Sequence, residues 1–93
     1  MTIDMLYHFP RAVFVDQNNI SGQLIHIQQE VEEAFAETGK RDLQPLALEV
    51  MDIYHSAETA LRILQEKHGV DIRALMHQTA DKNDARGYYN ADN

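Results

Sequence analysis

Cysteine is absent from this chain, which excludes a disulfide framework, a thiolate metal site and a thiol nucleophile. Basic residues are scarce: eight Lys and Arg stand against fifteen Asp and Glu, for a formal net charge of −7 and a pI near 5.0. Such a chain does not attract a nucleic-acid backbone non-specifically. To handle a phosphorylated ligand it would need metal ions, or a few local cations, to offset repulsion. The opening "MTIDMLYHFP" carries neither a basic lead nor a long apolar run, so no signal peptide is expected. No apolar run approaches the roughly 20 residues that span a bilayer. The expectation is a cytoplasmic protein with no membrane or nucleic-acid partner. The sequence also has no Gly-rich phosphate loop, no G-x-S-x-G elbow and no basic stacking patch.

What is present is a globular composition, 44% apolar and 25% charged over 93 residues, which suits one small domain spanning 1–93. A helical period is clear from Ile20 onward, where Ile20, Leu24, Ile27, Val31 and Ala34 recur at steps of four and three. Asn19 or Ser21 suits its start and Gly39 its stop, giving a helix over about 20–38. Asp42 and Pro45 suit the start of a second helix, running to about Lys67 with Gly69 beyond it. That helix has a wide apolar face: Leu46, Val50, Tyr54, Ala57, Leu61 and Leu64, extended by Ile53 and Ala60. Asp71 opens a third helix over about 71–82. Leu6, Phe9, Val13 and Phe14 suggest a short helix starting near Pro10, and "NDARGYYNADN" reads as irregular. The expected organisation is an N-terminal segment 1–19, a helical core 20–82 and a tail 83–93. The fold class is all-α: an antiparallel helical hairpin with shorter flanking helices. Its apolar surface exceeds what a small monomer covers, so a homodimer or homotetramer built as a helical bundle is expected.

The chemistry lies in two acidic pairs, Glu30-x-x-Glu33 and Glu49-x-x-Asp52. Residues three apart on a helix point the same way, and the first pair flanks the apolar stripe, together with His26 and Glu37. Across a hairpin the two pairs can face each other, and four converging carboxylates repel unless cations lie between them. Hard oxygen ligands select Mg²⁺, Mn²⁺ or Ca²⁺. An acidic pair on an amphipathic helix is by itself commonly a solvated face.

Glu30-x-x-Glu33, a spacer and Glu49-x-x-Asp52 together resemble the signature of the MazG-like nucleotide pyrophosphohydrolases, the all-α NTP pyrophosphatase superfamily. "EVEEAF" resembles the family's first-helix block and "LEVMDIYHSAE" its second. "DKNDARGYY" is similar to the Lys-Asn-x-x-Arg-Gly-Tyr-Tyr endings of small members. The resemblance covers about 27–89. One departure is Gln29, where the family often has a further glutamate, and it leaves the number of metal ions open. The resemblance implies Mg²⁺-dependent hydrolysis, with Mn²⁺ as an alternative metal. A nucleoside triphosphate would be cleaved between its α- and β-phosphates to a monophosphate and pyrophosphate. Glu30, Glu33, Glu49 and Asp52 would be metal ligands, with Glu33 the candidate for orienting the attacking water. Lys82 and Arg86 would meet the phosphates, with Asn83 and Tyr88 nearby.

Two other classes remain open on the residues alone. One is a non-catalytic helical interaction or regulatory module. The other is a di-iron carboxylate bundle, since Asp52-x-x-His55 has the spacing of its E-x-x-H half-motif. No histidine follows Glu30-x-x-Glu33 at that spacing, and His55 is expected at a surface or interface, away from the Glu49 stripe.

Overall fold

A computed structural model describes residues 6–90. The expected N-terminal segment and tail therefore extend at both ends outside the described residues. Among the described residues the fold is all-α, with four helices: α1 Phe14–Gln17, α2 Ile20–Glu37, α3 Gln44–His68 and α4 Ile72–Ala85. Among the described residues, no helix is long and apolar enough to cross a membrane.

Local chemistry explains most of the boundaries. Asn19, not Ser21, caps α2, its side-chain oxygen accepting from the Gly22 N–H at 2.7 Å and so satisfying one of the free donors of a helix start. Before α3, Asp42 accepts from the Gln44 N–H at 3.0 Å, while Pro45 sits in the first turn, where its missing N–H costs nothing. Helix α3 stops at Gly69, whose φ of 68° is left-handed. The Val70 N–H then reaches back to the Leu64 carbonyl at 3.1 Å, the pairing of a glycine-closed helix end. Asp71 caps α4 by accepting from the Ala74 N–H at 3.1 Å. That helix runs to Ala85 rather than 82, so Asn83 is helical.

The N-terminal segment departs most from expectation. Helix α1 begins at Phe14, not near Pro10, and lasts four residues. Val13, one of the apolar residues that suggested the helix, is 62% exposed, and the fully buried side chain is Val15. The segment's position is set by contacts with α3, which local periodicity does not encode.

Helices α2 and α3 pack along one another, and α1 lies against α3. The seam on α2 runs through the buried Gln23 and Ala34. Both polar atoms of Gln23 are partnered there: its Nε2 donates to the Ser56 carbonyl at 3.0 Å, and its Oε1 accepts from Asn18 Nδ2 at 2.9 Å. On α3 the buried positions are Ser56, Glu58, Thr59, Ala60 and Ile63. Among the described residues the apolar core is thin, consisting of Val15, Ala34, Ala60, Ile63 and Ile72. Large apolar side chains stay in solvent, including Leu24 and Phe35 on α2 and Leu48, Val50 and Met51 on α3. The radius of gyration is 15.7 Å, against about 12 Å for a compact domain of this length.

Candidate metal and nucleotide site

The two acidic pairs meet at the α2–α3 seam. On α2, Glu30, Glu33 and Glu37 follow each other at steps of three and four, one helical stripe. On α3, Glu49 and Asp52 form the facing pair. Glu30 and Glu49 are half-buried, while Glu33 and Asp52 are exposed. Two carboxylate oxygens, Glu30 Oε1 and Glu49 Oε2, are shut off from solvent without a hydrogen-bond partner among the described residues. A buried carboxylate oxygen left unpaired is costly.

The electrostatics agree with that geometry. Burial pushes the Glu49 carboxyl above its usual range, and the negative charges of Glu33, Asp52, Glu37 and Glu30 push it further. Glu49 thus senses every other carboxylate of the cluster. Two basic side chains sit at its edge: Lys40 pairs with Glu37, and His26 Nε2 lies 3.5 Å from Glu30 Oε2.

A cleft of about 230 Å³ opens beside this cluster, between α2, α3 and the N-terminal segment. Glu30 and Asp52 lie in its wall with His26 and His55, and Ala12 and Phe14 close it from the N-terminal side. His55, expected at a surface or interface away from the Glu49 stripe, lines this cleft together with Asp52. Its ring stacks on Phe9, with centroids 4.6 Å apart. Phe14 leans against His26 at 5.5 Å.

The donor set suits a hard divalent cation, being all carboxylate oxygen and including two orphaned atoms on facing helices. No three acidic or histidine side chains among the described residues converge closely enough, as oriented, to hold an ion alone. That is compatible with Mg²⁺, which is commonly held by one or two carboxylates, with waters and substrate phosphates completing its shell.

The four tail residues lie elsewhere. Lys82 and Asn83 are in the last turns of α4, and Arg86 and Tyr88 in the turn after it. The Asn83 carbonyl accepts from the Tyr88 N–H at 2.9 Å, which folds the turn back on the helix. Lys82 and Arg86 are exposed, and none of the four lines the cleft beside Glu30 and Asp52.

Sequence patterning missed Glu58, a carboxylate only 5% exposed on the opposite side of α3 from Glu49. The available signal was its setting in "HSAETA", where small neighbours let another segment approach closely. Compared with known proteins, the chain matches no protein-family model, no curated protein and no solved structure.

Proposed function

We propose that this chain is a metal-dependent nucleoside triphosphate pyrophosphohydrolase that cleaves between the α- and β-phosphates, giving a nucleoside monophosphate and pyrophosphate. In this reading α2 and α3 form an antiparallel hairpin presenting the acidic groove, and the working unit is a homodimer or homotetramer. The observation that carries it is the pair of buried, unpartnered oxygens, Glu30 Oε1 and Glu49 Oε2, within a cluster whose charges raise the proton affinity of Glu49. A surface acid turned to water has no reason to leave such atoms unpaired; a cation supplies the missing partner.

Mg²⁺ or Mn²⁺ held by Glu30, Glu33, Glu49 and Asp52 would neutralise phosphate charge and lower the pKa of a bound water. The chain's own residues have separate tasks. Exposed Glu33 is free to orient the attacking water and accept its proton as the α–β bridging P–O bond breaks. Lys82 and Arg86 supply positive charge to an otherwise anionic protein, with Asn83 and Tyr88 beside them. Positioning and charge neutralisation are what phosphoryl transfer chiefly demands.

The test is pyrophosphate release with Mg²⁺ across canonical, deoxy and modified nucleoside triphosphates, for the wild type and for Glu49→Gln and Asp52→Asn. Release that depends on Mg²⁺ and is lost in both variants is expected. Full activity in both variants overturns the assignment.

A further inference from the structure

Residues 7–13 carry no regular secondary structure, and α3 supplies partners for several of their backbone groups. It does so from one stripe. Glu58 accepts from the His8 N–H at 2.8 Å and from the Phe9 N–H at 2.9 Å. Arg62 Nη2 donates to the Phe9 carbonyl at 2.7 Å, so the Phe9 residue is gripped at both of its polar groups. Further along, Arg11 bridges Asp16 and Glu66, and Lys67 Nζ donates to the Asn18 carbonyl at 3.0 Å. The segment is thus tied down on either side of Phe14.

The Glu58 anchor is chemically unusual. A buried carboxylate commonly pairs with a guanidinium or ammonium; Glu58 instead takes two backbone N–H groups, with His8 Nδ1 3.3 Å from its Oε2, while Arg62 on the same stripe reaches the Phe9 carbonyl. Charge-assisted bonds to two successive backbone N–H groups fix direction as well as distance. An apolar contact would hold the segment down without fixing where Phe14 falls. Phe14 is 41% exposed, an aromatic ring in the wall of a cleft that Glu30 and Asp52 also line. At about 230 Å³, the cleft is below the roughly 300–1,000 Å³ that encloses a whole small ligand. It has room for one part of a nucleotide, with the phosphates lying outward toward exposed Glu33.

We propose that Glu58 is a positioning residue: by fixing residues 8 and 9 on α3 it holds Phe14 over the cleft, where the ring receives the nucleobase of the substrate. This rests on the pyrophosphohydrolase reading. Aromatic stacking accepts any base face, so Phe14 contributes affinity for nucleotides over base-free triphosphates and little choice among bases.

The experiment compares a nucleoside triphosphate with 1-O-methylribose 5-triphosphate, which lacks the base, in the presence of Mg²⁺. In Phe14→Ala and in Glu58→Ala, KM for the nucleotide should rise about tenfold more than KM for the base-free substrate, on the scale of one lost stacking contact. Changes in kcat should stay within about threefold, because stacking is made equally before and during the reaction. Glu58→Gln keeps an acceptor oxygen and should recover part of the loss. The double variant should be no less selective than Phe14→Ala alone, since both changes remove one interaction. Equal losses on both substrates in Glu58→Ala, or unchanged selectivity in the well-exposed Phe14→Ala, overturn the inference while leaving the enzyme reading intact. If the wild type hydrolyses neither substrate, both fall.

Discussion

Glu49 and Glu58 are carboxylates nine residues apart on one helix, and their surroundings drive them in opposite directions. Burial and four neighbouring negative charges raise the Glu49 carboxyl. Burial also pushes Glu58 upward, but the His8 and Phe9 N–H groups and the His8 side chain outweigh it, so its pKa ends below the ordinary range. A raised folded-state pKa means that the native state binds the proton more tightly than the unfolded chain. Glu49 therefore costs stability as pH rises from the ordinary carboxylate range through its raised pKa. Glu58 does the reverse: its contribution is present above the ordinary range and is lost as pH falls through its depressed pKa. Metal-free Glu49→Gln should thus melt at or above the wild-type temperature, with the gap widening as pH rises through that window and constant beyond it. Thermal melts of both proteins between pH 4 and 8 check this, and a gap that shrinks with rising pH contradicts the charge cluster. The same substitution should lower Mg²⁺-dependent pyrophosphate release on the order of 100-fold, the scale for losing one preorganised charge-stabilising group. Mg²⁺ should raise the wild-type melting temperature and raise that of Glu49→Gln less, as for a ligand that binds only the folded state. Lys82→Ala and Arg86→Ala, both on exposed positions, should raise KM roughly tenfold each, within the range for a hydrogen bond to a charged group. Unchanged kinetics in both would remove the tail from the site.

At the scale of elements, the legible parts were those whose determinants are local. The periodicity of Ile20, Leu24, Ile27 and Val31 marks α2, and Asp71 and Gly69 punctuate α3 and α4 as residue chemistry requires. The carboxylate pairs were readable because helical spacing puts them on one stripe without knowledge of the fold. The N-terminal segment was not, because its conformation is dictated by Glu58, Arg62 and Lys67, some fifty residues away in sequence. The cleft that His55 shares with Asp52 was not legible for the same reason: the helix position is local, but the segment that makes its neighbourhood a cleft is not. The local determinants are testable singly. A β-carbon at Gly69 would meet nothing within 4 Å, so Gly69→Ala should cost only the left-handed backbone penalty, about 1–2 kcal/mol. Chemical denaturation with an unchanged m-value would report it, whereas a larger loss would mean that the turn makes contacts beyond its backbone geometry.

The whole molecule has more surface than it can justify alone. Its accessible area is 6965 Å², roughly 1,500 Å² above the value expected for a compact monomer of this mass. That excess is comparable to one side of an obligate interface. The excess has a direction. On α2 the acidic stripe of Glu30, Glu33 and Glu37 lies to one side of the Gln23–Ala34 seam, and Leu24, Val31 and Phe35 lie to the other. Leu46, Val50 and Ala57 form a matching stripe on α3 at steps of four and seven. Phe35 is 70% exposed, a large apolar ring that a lone two-helix layer cannot cover. A second copy laying the same face against it would close a four-helix core and leave the acidic groove outside the contact. Light scattering at micromolar concentration should therefore give a mass at least twice the 10.7 kDa of one chain. Replacing Phe35 and Val50 together by Lys places like charges in that contact, and the species should shift toward monomer. Because so thin a core remains in each chain, the monomer should also unfold at lower denaturant, and wild-type stability should rise with protein concentration. A wild type that scatters as a monomer, or a stability independent of concentration, would mean that this apolar face is not closed by a second copy.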